Sequence, residues 1–285
     1  MVCAVLRANL LVVLCCSLGL TACADEPLPG SEGYQLVWSD EFNEDGSPSH
    51  ENWRHEVGFL RNKEDQWYRP ENAWCEGGRL VIEARREHLP VGSLDQNGRI
   101  ANWASKRTHA EYTSSSLNTK GKHSWLYGRF VMRAKLPAVP GAWPAFWTLG
   151  SGRWPACGEI DIMEYYDHSL LANVGWLGKW NKTQWDARKT PLLHFGGEAW
   201  SKDFHLFWMD WTEESVEIYV NEQLVNKVDT SSIKNANQAG DNPFQKPHYL
   251  LVNLAIGGVH GGDPSATEFP LRYEIDYVRV YQREP

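Results

Sequence analysis

Gly158-Glu159-Ile160-Asp161-Ile162-Met163-Glu164-Tyr165-Tyr166 lies near the middle of the chain, and its reading decides the fold. Taken as a β-strand, Glu159 and Asp161 leave one face, while Ile160 and Ile162 leave the other. A strict strand would then put Met163 with the acids and Glu164 among the isoleucines, where burying a carboxylate is expensive. A β-bulge at Ile162–Met163 adds one residue and returns Glu164 to the acidic face. The sequence therefore predicts a bulged strand with a greasy side and an acidic side.

Outward from this segment the same short β-type runs recur, broken by Gly, Pro, Asn and Asp. They cover Leu36–Phe42, Arg79–Arg86, Tyr127–Leu136, His205–Trp211, Val216–Val220, Tyr249–Ala255 and Ile275–Tyr281. Val216, Ile218 and Val220 alternate with Glu217, Tyr219 and Asn221, and Phe130, Met132 and Ala134 with Arg129, Val131, Arg133 and Lys135. Such alternation marks antiparallel strands with one buried face. No long helical period competes. The expected fold is all-β, a jelly-roll sandwich of two antiparallel sheets. The connections 88–106 and 177–203 are long and contain Trp, as loops that line or gate a binding surface do.

The chain has 285 residues, which one all-β domain can fill. A net charge of −8 with no Lys/Arg cluster argues against nucleic acid as a partner. The 15 tryptophans outnumber both the 9 phenylalanines and the 11 tyrosines. An indole offers a flat face and one N–H donor, which suits the flat C–H face and hydroxyl edge of a sugar. If the indoles serve packing alone, about half of them should be core.

Residues 1–22 read as an export signal: Arg7 is followed by an apolar run from Leu10 to Leu20, too short to span a bilayer. The run ends in Leu20-Thr21-Ala22-Cys23, which resembles the bacterial lipobox, so Cys23 is expected to carry the lipid and residues 23–33 to form a tether. The alternative is simple secretion. The expected location is the bacterial outer membrane or cell surface. With Cys3, Cys15 and Cys16 in the signal, only Cys75 and Cys157 remain in the domain at 34–285, either as a disulfide or as buried thiols.

If the bulge forms, Glu159 and Glu164 stand roughly 13 Å apart at Cα. Their side chains can lean together to about 5–6 Å, close to the separation found in retaining glycosidases. One would attack an anomeric carbon and the other donate a proton to the leaving oxygen. Asp161 lies between them and can hydrogen-bond to the nucleophile. Two other readings remain open at this point: a solvated acidic face, and a Ca²⁺ site built from the three carboxylates.

Glu159-Ile160-Asp161-Ile162-Met163-Glu164 resembles the active-site signature of glycoside hydrolase family 16 in its bulged, laminarinase-like form. The resemblance extends along the domain through Leu36–Phe42, through Tyr127-Gly128-Arg129-Phe130 with Arg133–Pro137, and through Gly141–Trp147, Asn253–Gly258 and Asp276–Gln282. It implies a concave sheet forming an open cleft, and retaining, endo-acting hydrolysis of a β-linked polysaccharide. The expected substrate is a β-1,3- or β-1,3/1,4-glucan, with a galactan as the alternative. It implies Glu159 as nucleophile, Asp161 as helper and Glu164 as acid/base, with no cofactor required for catalysis. Trp143, Trp147 and Trp154 match sugar-stacking positions. Asn72 matches a residue that binds sugar hydroxyls on the non-reducing side, and Arg85 is a candidate for the same role. Glu41 and Asp276 match positions of a structural Ca²⁺. Laminarinases commonly carry a histidine on the strand after the catalytic one; here Asn173 and Trp176 occupy that stretch and become candidate substrate residues. The departure bears on substrate identity rather than catalytic class. A transglycosylase would use the same residues, and a non-catalytic carbohydrate-binding protein would need none of the three acids in this register. The enzyme is expected to act as a monomer.

Overall fold

The computed structural model describes residues 32–91, 102–237 and 239–284. Seventeen strands occur among them. In chain order they are β1 (Tyr34–Asp40), β2 (Arg54–His55), β3 (Gln66–Tyr68), β4 (Ala73–Cys75), β5 (Leu80–Pro90), β6 (His109–Ser114), β7 (Ser116–Asn118), β8 (Gly128–Lys135) and β9 (Ala142–Gly150), then β10 (Glu159–Tyr166), β11 (Ser169–Leu177), β12 (Thr183–Pro191), β13 (His205–Trp211), β14 (Ser215–Val220), β15 (Gln223–Asp229), β16 (His248–Ile256) and β17 (Leu271–Arg283). Every strand expected from the alternating runs lies in or overlaps one of these.

The strands form two sheets. One runs β15-β14-β13-β8-β17-β5-β6-β3, with β1 added on β17 and β4 on β5. The other runs β12-β11-β10-β9-β16-β7-β2. All pairings are antiparallel except β3 with β6. Non-sequential neighbours such as β9 and β16 give the sandwich its jelly-roll winding.

The core is what the alternation requires. Phe130, Met132 and Ala134 of β8 and Val216, Ile218 and Val220 of β14 meet Phe146, Ile160, Val174, Leu250, Val252 and Leu254 of the second sheet in one buried cluster. Each large apolar side chain so buried contributes about 1.5–3 kcal/mol. A separate small cluster of Ala145, Trp147, Tyr249 and Leu251 sits on the other face of β9 and β16. That face is the floor of the cleft.

The stretch 177–203, expected as a loop, instead contains β12, paired with all of β11 from Ser169↔Pro191 to Leu177↔Thr183. Thr183–Pro191 is an edge strand with no residue fully buried, and Trp185 and Ala187 alone interrupt its polar run, too little to give the alternation that marks half-buried strands. It widens the cleft floor by one strand. Of the 88–106 connection, 92–101 lies outside the described residues. Cys75 and Cys157 are both free and buried. Burial pushes their thiols up to about 12 and about 11, so both are inert.

Candidate active site

Strand β10 carries the expected bulge. Asp161 pairs with Trp147 of β9, but the next partner, Phe146, is met by Met163. Across β11, Asp161 pairs with Asn173 and Glu164 with Leu171, so Ile162 and Met163 share one opposing position. Both of these side chains go inward, each 1% exposed in the main core. Glu164 is thereby returned to the cleft face beside Glu159 and Asp161. The core takes two consecutive apolar side chains, and the acids share one surface.

Each glutamate is held by an indole. Trp143 Nε1 donates to Glu164 Oε1 at 2.8 Å. Trp154 Nε1 donates to Glu159 Oε2. Asn173 Nδ2 donates to both Asp161 Oδ2 and Glu164 Oε2, each at 3.1 Å. Its Oδ1 is buried with no hydrogen-bond partner.

The three acids are not electrostatically equivalent. Burial, then the charges of Glu164 and Glu159, push Asp161 well above the usual carboxylate range. Asp161 is thus biased toward its protonated form, from which it can donate a hydrogen bond to Glu159. Burial also raises Glu159, but the Trp154 N–H, the Asp161 hydrogen bond and the positive charge of Arg61 pull against it. Burial, reinforced by Glu159, raises Glu164 to about 7. Glu164, at about 7, thus holds a proton in preference to Glu159, the division of labour that glycosidic cleavage needs.

A polar network stands on the β9/β16 side of these acids. Arg61 bonds Glu56 at 2.6 Å and lies over the rings of Trp147 and Tyr68 at 5.2 and 5.6 Å. Asn253 accepts from Trp147 Nε1 at 2.8 Å and donates to Tyr68 Oη at 3.1 Å. Arg61, Glu56, Tyr68 and Asn253 were not singled out as site residues from the sequence. One signal was available: an asparagine inside the apolar strand Leu250–Ile256 must find a buried partner.

Several expected site residues are corrected. Asn72 is fully buried, donates to Glu83 O and Thr113 Oγ1, and accepts from Arg69 Nε. It braces a turn and does not reach sugar. Arg85 belongs to the opposite sheet, where it pairs with Glu83 and lies over Trp74. Trp176 faces away from the cleft and packs on Phe244 against the core. It is three residues from Asn173, and strand alternation puts the two on opposite faces. Asn173 does face the acids, but its N–H₂ group is spent on them and it is 5% exposed, so it acts on the carboxyls rather than on sugar. Trp147 lies on the cleft floor with Arg61 across its ring, and only Trp154, 50% exposed, retains a largely open face.

Glu41 and Asp276 do not fit a calcium site. Arg279 grips both oxygens of Glu41 at 2.9 and 2.8 Å, and Arg133 bonds Asp276 at 2.6 Å. Guanidinium charge at both carboxylates opposes a divalent cation. No group of three or more His, Cys, Asp or Glu side chains suited to a metal occurs among the described residues. Cys23 lies outside the described residues.

A buried carboxyl trio on the face of one sheet that points away from the main core of a β-sandwich is the arrangement that double-displacement glycosidic cleavage uses. Residues 86–279 match the model for glycosyl hydrolases family 16. The β-glucanase of Rhodothermus marinus is 36% identical over 271 residues, covering 87% of this chain and 85% of that protein. The laminarinase catalytic domain of Thermotoga maritima superposes with a TM-score of 0.72 at 36% identity, covering 89% of this chain and 100% of that one. A structure described with endo-acting O-glycanases of the human gut microbiota that initiate mucin breakdown gives 0.79 at 33% identity, covering 90% and 93%. The chain belongs to glycosyl hydrolases family 16 and hydrolyses O-glycosyl bonds.

Proposed function

We propose that the protein is a retaining endo-β-glucanase that cuts β-1,3- or mixed β-1,3/1,4-glucan, with Glu159 as nucleophile, Asp161 as its positioning acid and Glu164 as acid/base. The observation that carries the roles is the unequal electrostatics of the two glutamates: the Arg61 charge favours a carboxylate at Glu159, while burial and the Glu159 charge favour a proton on Glu164. In the first step Glu159 attacks the anomeric carbon while the glycosidic C–O bond breaks and the Glu164 proton passes to the leaving oxygen. In the second, water attacks the same carbon, Glu164 takes its proton, and the Glu159 ester bond breaks. Asp161 donates a hydrogen bond that stabilises the Glu159 carboxylate before attack and after release. The glucan assignment draws on the β-glucanase and laminarinase similarities, and on the laminarinase-like form of the bulged strand.

A panel of β-1,3-, mixed β-1,3/1,4- and β-1,6-glucans, galactans and mucin glycans tests it. Rapid loss of viscosity with mid-length products from the first two glucans is expected. Cleavage confined to galactans or mucin glycans would overturn the substrate assignment while leaving the mechanism in place.

We also propose that residues 1–22 are removed as a signal, that Cys23 is acylated and that residues 24–33 tether the domain to the bacterial outer membrane or cell surface. Support comes from the apolar run and the Leu20-Thr21-Ala22-Cys23 sequence. Cys23→Ser should shift the protein from the membrane to the soluble fraction; unchanged fractionation would refute acylation.

A further inference from the structure

Gly175 of β11 stands directly opposite Glu159 on one side and Trp185 of β12 on the other. Directly opposed residues leave a sheet on the same face. Glu159, the bare backbone of Gly175 and Trp185 therefore form one row across the cleft floor. A Cβ built on Gly175 would come within 2.4 Å of Cζ3, 2.7 Å of Cε3 and 2.8 Å of Cη2 of Trp185. The indole thus lies down over Gly175, toward the nucleophile, and a side chain there would lift it. Neighbouring strands are about 4.8 Å apart, so the ring comes to within about one strand of β10.

Trp185 remains 39% exposed, and Trp180, at the turn between β11 and β12, is 87% exposed. Trp180 also holds a left-handed backbone, φ 56° and ψ 32°, which is costly for a bulky residue. The hairpin is pinned from below: Asn226 of β15 donates to Ala172 O at 3.0 Å and to Asp186 Oδ1 at 3.2 Å. Large indoles displayed on a braced strand beside a reactive carboxylate mark a ligand surface rather than loose packing.

We propose that Trp185 is the stacking platform for the sugar on the leaving side of the scissile bond, with Trp180 extending that surface to further sugars. The proposal rests on the reading of Glu159 and Glu164 as a double-displacement pair. Polarity follows from the sheet order. In such a reaction the donor half is joined to the enzyme in the first step and held until water releases it in the second, whereas the other half must leave before water enters. The β9/β16 side of β10 offers the fixed polar network of Arg61, Trp147 and Asn253 suited to holding the donor. The β11/β12 side is two strands wide and ends at an open edge, which suits departure. Trp185 then governs recognition of chain rather than of a single sugar, and retains an acceptor when a second saccharide competes with water.

The test compares two substrates: a β-gluco-oligosaccharide cut to leave a sugar, and an aryl β-glycoside of the same donor length, whose leaving group is not a sugar. Trp185→Ala should lower kcat/KM on the oligosaccharide at least about tenfold more than on the aryl glycoside, and Trp185→Tyr should restore most of the difference. Trp180→Ala changes a residue too exposed to disturb folding; its loss should grow with the number of sugars on the leaving side. Equal losses of Trp185→Ala on both substrates, or a larger loss on the aryl glycoside, would overturn the assignment of Trp185. Length-independent behaviour of Trp180→Ala would overturn the extension. A wild-type enzyme inert on both substrates overturns the functional reading and this one with it.

Discussion

Glu159→Ala is expected to lower kcat by about 10⁴-fold or more, because the variant loses the atom that forms the covalent intermediate. The fold should survive. Removing a carboxyl whose charge is disfavoured by burial relieves a cost, and the main core lies on the other face of β10. A small anion such as azide should enter the vacated space and attack the anomeric carbon of an aryl β-glycoside directly. Only one displacement then occurs, so the product is α-configured. Steady-state kinetics, thermal unfolding and NMR of the azide product check the three parts. Near-wild-type turnover would remove Glu159 from the mechanism, and a β-configured azide product would place the nucleophile elsewhere.

Glu164→Gln is expected to act on both rate and stability. The acid/base contribution is about 10²–10⁴-fold on a polysaccharide, whose leaving oxygen needs a proton. An aryl glycoside with an acidic phenol needs none and should lose far less in the first step. Wild-type activity should fall as pH rises through about 7, where Glu164 gives up its proton. The stability change has a definite sign. Burial raises the folded-state pKa of Glu164 above its unfolded value. Its contribution is therefore fully present below the unfolded value, near 4.5, and is lost as pH rises through about 7. Above that the folded protein carries an unfavourable buried charge that glutamine lacks. Glu164→Gln should be more stable than wild type at pH 8, by on the order of 2 kcal/mol, and no more stable at pH 4. Asn173 is suited to accept the change. Its partnerless Oδ1 can turn toward the new amide and toward the proton on Asp161. Thermal unfolding across that range decides it; a variant less stable at pH 8 would contradict a protonated, buried Glu164.

The features legible in the sequence were those that a local period encodes. Alternation along β8 and β14 identified inward faces, and the conflict between Glu164 and its isoleucine neighbours required the bulge. Features that depend on long-range partners were not legible. Nothing in Pro70-Glu71-Asn72 announces that the asparagine braces Thr113 and the backbone of Glu83. Glu41 and Asp276 met arginines because β1 pairs with β17 and β17 with β8, pairings that spacing alone does not reveal. Strand β12 escaped because an edge strand open to the cleft has no need of a buried face.

Trp176 is a different case, since its position was available to reasoning. Asn173 and Trp176 differ by three positions, so an unbulged strand cannot aim both at the cleft. The abundance of tryptophan carried two meanings. Trp211 and Trp53 are core, and Trp180 and Trp185 are displayed, but Trp143 and Trp154 spend their N–H groups on the carboxyls of Glu164 and Glu159. An indole that positions an acid and one that stacks a sugar look alike in sequence.

Glu164→Gln also supplies the most direct test of the central claim. With an aryl β-glycoside bearing an acidic phenol, the first step proceeds without a proton donor, while the second lacks its base, so the glycosyl-enzyme should accumulate. Mass spectrometry of the quenched, digested protein should find one glycosyl group on the peptide containing Glu159, attached at that side chain. A glycosyl group on Asp161 or on any other residue, or a burst of phenol with no adduct at all, would contradict nucleophilic attack by Glu159.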